Sequence, residues 1–533
     1  MHPASKPVTP LDSSLINSLL DPSAFPHPVD KIELLETHIS WVILTGSYAY
    51  KVKKPVDLDF LDFRDLDRRR FYCEEEIRLN RHWAPDIYLD VLPITDDRGS
   101  PRIGGSGPTI EYAVRMRQFD KGARLDEQLE AGTLTIADMR ELAGIIADRH
   151  LSAKVVDVTD REKVINFTKE YIWENFDQLE GVVEESLLSV LRRSTADELG
   201  RVEPKLWQRF DDGFVRECHG DLHLANLVRL PTGITAFDCI EFSADLRNID
   251  VACDIAFLVM DLVVRGHKDL SAHFLNRYLE YTGDYGSMAL FNLYFAYRCL
   301  VRAKVAAIRS KEREVEAENR ADRMEVDHYC ELARGQGGTP RPSLVVMYGL
   351  PGSGKTWTSE RLMAALPAIR VRSDIERKRM FGLDETEDSG SGVAQGIYAP
   401  DASKAVYDRL NSIAASILAS GHDVILDAAF LSAAEREQAH LTAQDCAAGY
   451  RILETVAPVD TLRERIQARQ KGAKDASEGN LAVLDYQLEN AAPLSESERE
   501  ATTTWNTAEE ANVEALAITI RSGARAPAGE SGT

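Results

Sequence analysis

The sequence predicts a multidomain protein in which an α+β half of two lobes precedes an α/β half built on a doubly wound parallel sheet. Three observations predict it. At 533 residues the chain is longer than the range over which one hydrophobic core keeps growing. Strand-like runs at 41–44, 48–52, 87–94 and 110–116 come early and helical patterns dominate after Leu125, the order of a small sheet-bearing lobe followed by a helical one. From residue 344 onward strand and helix alternate, which specifies parallel strands joined by crossover helices.

The seam between the halves is the Gly/Pro cluster GQGGTPRP at 335–342, which neither helix nor strand tolerates. The expected organisation is a first domain at 1–336, a linker at 337–342, a second domain at 343–520 and a disordered tail at 521–533. Within the second domain the pattern predicts strands at 344–348, 369–372, 424–427, 450–457 and 515–520. Helices are predicted from Lys355 and at 402–420, 433–446 and 459–469.

Hydrophobic residues at 44% and charged residues at 28% are globular values. A formal charge of −23 repels nucleic acid and anionic membranes unless a local basic cluster overrides it, so small-molecule acceptors or proteins are the expected partners, with a nucleotide or polyphosphate held by a local Lys/Arg cluster also open. The seven cysteines are scattered and form no C-x-x-C pair, which argues against a zinc site and suits a reducing compartment. The start MHPASKPVTPLDSS has no apolar signal core, and the most apolar run, 249–264, contains Asp250, Asp254 and Asp261. A cytoplasmic protein is the expectation.

GLPGSGKT at 349–356 follows the apolar strand SLVVMY and opens a helix, the context that a phosphate-binding loop requires. Gly349, Gly352, Ser353 and Gly354 let backbone N–H groups turn inward around phosphate oxygens at a helix N-terminus. Lys355 would contact the β- and γ-phosphates of ATP, and Thr356 would ligate Mg²⁺. Asp427 ends the strand VILD and could complete the metal shell. Ala428 stands where a hydrolysing motor usually carries a catalytic Glu, which favours transfer over hydrolysis. Asp374, in RSDIER at the end of the second strand, can take a proton from an attacking hydroxyl, and Arg377 can orient the acceptor. The insertion at 382–398 is expected to shape an acceptor site, its acidity suiting a cationic or neutral substrate. GLPGSGKT, RSDIERK, VILDAAF and LRERIQARQ together resemble the polynucleotide-kinase, zeta-toxin and gluconate-kinase group of P-loop kinases, over roughly residues 342–520. The resemblance implies that Asp374 is the acceptor-side base and that Arg465 and Arg469 belong to a lid over the phosphates. Their i,i+4 spacing puts both guanidiniums on one helix face.

In the first half, HGDLHLAN at 219–226 contains D-x-x-x-x-N, the spacing of a kinase catalytic loop, in Asp221 and Asn226. Asp238, in the apolar stretch ITAFDCIEF, follows at the interval of a principal metal ligand. These motifs, with IDVACDIAFL after them, resemble the aminoglycoside phosphotransferase branch of the protein-kinase-like fold, over roughly residues 35–305. With TGSYAYKVKKPVDLDFLDF ahead and a P-loop domain behind, the chain resembles the bacterial fused aminoglycoside phosphotransferase/ATP-binding type. The resemblance implies that Asp221 is the base, that Asn226 and Asp238 hold Mg²⁺ and that Asp254 braces the loop from behind. Lys51 and Lys53 point to the same strand face, so spacing leaves both open as the phosphate lysine. The distance before Pro55 in related families favours Lys51. Its carboxylate partner is expected from FYCEEEIRLN, at Glu75 or Glu76, and the strand and hinge around Met116 are where adenine would stack. No G-x-G-x-x-G loop is present, only Thr45-Gly46-Ser47. Two readings follow: two working ATP-dependent kinase domains in tandem, or one such domain joined to a nucleotide-sensing or partner-binding module.

Overall fold

The computed structural model describes residues 13–58, 61–312, 316–335, 341–471, 476–509 and 512–522. Most of the expected linker and of the expected tail lie outside the described residues. Two compact units are present, one of residues 1–171 and 207–261 and one of residues 172–206 and 262–533.

The first unit opens with strands β1 (Glu33–Glu36), β2 (Ser40–Leu44) and β3 (Tyr48–Lys53), helix α1 (Leu66–Trp83), and strands β4 (Tyr88–Asp96), β5 (Pro101–Ile103) and β6 (Thr109–Arg117). They form an antiparallel sheet in the order β1-β2-β3-β6-β4-β5. The four expected strands are its centre; β1 and β5, short and mixed in polarity, were not visible as strands. Strand alternation turns Tyr50 and Val52 toward a core that includes Ile43, Ile94 and Phe25. Ala49 and Met116 face the opposite core, where Cys73 and Ile77 of α1 pack. Lys51 and Lys53 therefore come out on the α1 side. Asp65 caps α1 by accepting from the N–H groups of Asp67 and Arg68. Helix α2 (Ile136–Ser152), strand β7 (Val215–Glu217), the hairpin β8 (Leu227–Leu230) and β9 (Gly233–Ala236), strand β10 (Asn248–Asp250) and helix α3 (Val251–Val264) build the second lobe's site region.

In the second unit a parallel sheet runs in the order β12-β13-β11-β14-β15, from β11 (Ser343–Tyr348), β12 (Ile369–Arg372), β13 (Val424–Asp427), β14 (Gly449–Val456) and β15 (Thr502–Asn506). Helices α6 (Lys355–Ala365), α7 (Ser373–Met380), α8 (Pro400–Ala419), α9 (Ala433–Asp445) and α10 (Val459–Lys471) follow its strands. The strand expected at 515–520 is instead a helix, α11 (Val513–Ser522). Leu516, Ala517 and Ile520 share one helical face and enter the core beside Val345, Met347 and Leu362, so helical periodicity overrides the β-branched composition. The fifth strand is the Thr-rich β15, which pairs with Ile452–Val456 and turns Thr503 inward.

The division into units does not follow the seam at 337–342. Helices α4 (Lys268–Thr282) and α5 (Met288–Glu312), which precede the seam, pack with the parallel sheet. Asn276 of α4 accepts from the Arg370 N–H at 2.7 Å and donates to the Ala368 carbonyl at 3.1 Å, so one side chain occupies the open edge of β12. Glu280, 3% exposed, pairs with Arg370 at 2.8 Å. Asn292 of α5 donates to the Ser420 carbonyl at 3.2 Å. Among the described residues no helix is long and apolar enough to cross a membrane.

Candidate functional site

In the first unit the loop 218–226 runs from β7 to β8 and is fixed by two carboxylates of α3. Asp254, fully buried, accepts from the N–H groups of Gly220 and His219, each at 3.0 Å, and meets His150 Nε2 at 3.2 Å. Asp261, two turns on, accepts from the Leu224 N–H at 2.9 Å. Gly220 has φ +82, and a Cβ there would lie 2.9 Å from the Leu246 carbonyl oxygen, so only glycine fits. His219 donates from Nε2 to the Phe237 carbonyl and accepts from the Asp221 N–H at Nδ1. Burial pulls its pKa down, and the ring is neutral. His150, Cys218 and Asp254 offer three ligand atoms within 4.8 Å of one another, but the Asp254 oxygens are taken up in bracing the loop.

Asn226 donates to Asp221 Oδ2 at 2.9 Å and to the Asp221 carbonyl at 3.0 Å, which joins the two loop residues into one group. Asp238 sits at φ +60, held there by its N–H on the Tyr88 hydroxyl and by the Cys239 N–H on Asn80 Oδ1. Lys51 Nζ reaches Asp238 at 2.5 Å and Glu76 at 2.8 Å. Lys53 Nζ takes the other Glu76 oxygen at 2.7 Å and also pairs with Glu241. Glu75 instead pairs with Arg78 and Arg247. Lys51 is thus the lysine that touches Asp238, and Glu76 bridges both lysines. Burial opposes the charge on Lys51, but Asp238 and Glu76 outweigh it and hold the ammonium well above the usual lysine value. Burial likewise opposes ionised Glu76, which the two lysines bring down to about 2. Met116 pairs with Ala49 and Tyr88 across the sheet and lies within the core shared with α1.

In the second unit the loop 349–354 joins β11 to α6. A Cβ at Gly352, where φ is +79, would meet the Leu462 carbonyl of α10 at 2.8 Å. Gly349 donates its N–H to the Ala429 carbonyl, Gly354 precedes the first turn of α6 and Ser353 shares a hydrogen bond with Thr455. Lys355 folds back on the loop, donating to the Gly349 and Leu350 carbonyls at 2.8 and 3.0 Å. Burial pulls its pKa down to about 8, against the opposing pull of Asp427 and Asp374. Asp427 accepts from the Ser359 hydroxyl at 2.9 Å. Asp374, in the first turn of α7, is raised by burial, with Arg372 opposing and Asp427 adding.

Arg377 donates to the Ile397 carbonyl at 2.6 Å and lies 4.8 Å from the centre of the Tyr398 ring, pinning the end of the 382–398 insertion. Arg465 donates to Thr507 Oγ1 and to the Gly352 carbonyl, and Arg469 to the Gly479 carbonyl. Gly352, Gly354, Lys355, Thr356, Asp374, Arg377, Asp427, Arg465 and Arg469 all line one cavity of about 850 Å³. Residues of the insertion, among them Ser391, Val393 and Tyr398, line it too.

Glu241, Ser359, Glu435 and Glu478 were not singled out from the sequence. The signal for Glu241 was present, because a second buried lysine two residues from Lys51 needs a carboxylate of its own. The other three are brought in by tertiary packing alone. Each site offers the all-oxygen donors that a hard divalent cation prefers: Asn226 and Asp238 in one, Thr356 and Asp427 in the other. The glycine cradle and the Lys355 ammonium at its rim fit a nucleotide phosphate chain.

The first unit carries a kinase-type catalytic loop with a strand lysine and helix glutamate, and the second is a P-loop α/β fold. An AAA-domain family model matches residues 344–494. The chain is 30% identical over 499 residues to the uncharacterized protein Rv2004c of Mycobacterium tuberculosis, covering 90% of this chain and 97% of that one, and it belongs to the same family. It is similar in structure to a choline/ethanolamine kinase family protein from Mesorhizobium loti, at 12% identity and TM-score 0.38, over 62% of this chain and 95% of that one. A gluconokinase from Sinorhizobium meliloti is similar at 19% identity and TM-score 0.24, over 34% of this chain and 89% of that one. The chain thus joins a unit with a kinase-type catalytic loop to a P-loop α/β domain.

Proposed function

We propose that both domains use ATP to phosphorylate hydroxyl groups of small-molecule acceptors, in the cytoplasm. The observation that carries the reading is the single cavity in which a phosphate loop, the metal-ligand candidates Thr356 and Asp427, and the carboxylate Asp374 converge. Lys355 and the loop N–H groups bind the β- and γ-phosphates. Mg²⁺ held by Thr356 and Asp427 would neutralise phosphate charge. Asp374 takes the proton as the acceptor oxygen bonds to the γ-phosphorus and the bond to the β-phosphate oxygen breaks, releasing ADP. Its raised pKa makes it a stronger base for that proton. Arg465 and Arg469 exchange their carbonyl partners for phosphate oxygens as charge develops. In the first domain Asp221 has the role of Asp374, Asn226 and Asp238 would hold the metal, and Lys51 orients the phosphates. Asp254 and Asp261 keep the loop in shape. The free cysteines, six of the seven buried, support a reducing compartment.

Transfer from γ-labelled ATP to a small-molecule extract tests the reading, using the full chain, Lys355→Ala, Asp221→Asn and the double variant. Each single variant should lose a different set of labelled products and the double variant all of them. If one single variant removes every product, the other domain is a nucleotide-sensing module.

A further inference from the structure

We propose that Ser477 is a phosphoacceptor of the C-terminal site itself: with no small-molecule acceptor bound, the domain transfers the γ-phosphoryl group of ATP to the Ser477 hydroxyl of the same chain. The proposal rests on the phosphotransferase reading of that cavity and adds a modification site to it.

Residues 477–480 line the cavity and follow α10 in the chain, ahead of the helix Leu481–Asn490. The residues on either side of Ser477 are held in place. Ala476 is buried. Glu478 accepts from the Ser389 hydroxyl at 2.5 Å and from its N–H at 3.0 Å, and it pairs with the buried Lys378 at 3.4 Å. The Gly479 carbonyl accepts from Arg469, and Asn480 caps the following helix by accepting from the Val483 N–H at 3.0 Å.

This anchoring sets the Ser477 hydroxyl between the two halves of the chemistry. The hydroxyl bonds the side chain of Asp374, the residue assigned to take the acceptor's proton. A Cβ built on Gly479 would lie 3.7 Å from Ser477 Oγ and 3.5 Å from the Cβ of Pro351 in the phosphate loop, so a single carbon there would touch both. Other hydroxyls of the cavity are committed elsewhere: Tyr398 bonds Glu478 and Tyr407 bonds Glu435. A hydroxyl resting on the base is the arrangement in which an acceptor begins transfer. Tethering it to the same chain also gives it a far higher effective concentration than a free molecule has. When Arg469 exchanges the Gly479 carbonyl for a phosphate oxygen, the segment loses its tie to α10 and Ser477 is released toward the phosphates. Asp374 then takes the Ser477 proton as Oγ bonds to the γ-phosphorus, the bond to the β-phosphate oxygen breaks, and ADP leaves.

The test uses the full chain carrying Asp221→Asn, which silences the other site, incubated with Mg²⁺ and γ-labelled ATP and no added acceptor. Label should accumulate on the protein, and peptide mapping by mass spectrometry should place it on Ser477. The initial rate per chain should hold constant on dilution, as transfer within one chain requires, and adding Lys355→Ala should abolish it. Ser477→Ala should lose the label with the melting temperature unchanged, and Ser477→Thr should carry it as phosphothreonine at the same position. Label on another residue, label that survives Lys355→Ala, or a rate per chain that falls with dilution overturns the proposal. A parallel incubation with a bacterial small-molecule extract separates the two ways of failing. Labelled extract with unlabelled Ser477 in both incubations overturns this proposal and leaves the phosphotransferase reading standing. Label in neither the extract nor the protein overturns that reading, and this proposal with it.

Discussion

The two lysines proposed as phosphate ligands, Lys51 and Lys355, stand in opposite electrostatic settings. Lys51 is buried among carboxylates, touching Asp238 and Glu76, with the second pair Lys53 and Glu241 behind it. Among the described residues Lys355 has only backbone carbonyls as hydrogen-bond partners, and its charge is weakened by burial. In the first site the lysine is part of the framework, because Glu76 is fully buried and depends on both lysines. In the second the framework is the loop itself, and the lysine rests on its carbonyls. The same chemical group can therefore belong to the framework at one site and stand apart from it at another, according to what it touches.

The sharpest way to break this comparison is Lys355→Ala. It should abolish turnover at the C-terminal site, measured with Asp221→Asn in the background, and leave the melting temperature nearly unchanged. Asp374→Asn should lower that turnover by roughly 10²–10⁴-fold with nucleotide affinity retained, the usual share of a positioned base. Loss of nucleotide affinity at an unchanged maximal rate would move Asp374 to the nucleotide side. Lys53→Ala should instead cost stability, about 3–5 kcal/mol in urea unfolding, because it leaves Glu241 and one Glu76 oxygen buried without a cation.

Within the first site, Asp238→Ala should remove Mg²⁺-dependent ATP binding in calorimetry, with Lys355→Ala silencing the other site, whereas Asp221→Asn should leave it intact. The smallest effect is a proton. Lys355 has a pKa of about 8 in the fold against an ordinary 10.5, so the unfolded chain binds more protons between those values. The nucleotide-free fold should therefore gain stability from this group as pH rises from 8 to 10.5, while nucleotide affinity at the C-terminal site falls. Calorimetry near pH 8.5 in buffers of different ionisation enthalpy should show proton uptake on ATP binding in the Asp238→Ala background. The Lys355→Met form of that protein should show none.

The sequence by itself determined the local chemistry. GLPGSGKT, HGDLHLAN and the carboxylates at or just beyond strand ends, Asp238, Asp374 and Asp427, each carry their spacing in consecutive residues, and such local spacing survives into the fold. The central strands were legible for the same reason, since alternation is a local property. Tertiary structure decided what depends on partners far apart in the chain. Lys51 is distinguished from Lys53 by Asp238, and Glu76 from Glu75 by its place on the inner face of α1. The Thr-rich β15 is a strand because β14 offers it an edge, and 513–522 is a helix because its apolar face meets the sheet. The boundary between compact units also lay beyond a local reading. A Gly/Pro cluster is a local feature of the sequence, whereas Asn276 and Glu280, from before it, pair with Ala368 and Arg370, from after it, and decide which elements fold together. Local propensity is written in neighbours; burial and ion pairing are settled by residues the chain brings back from a distance.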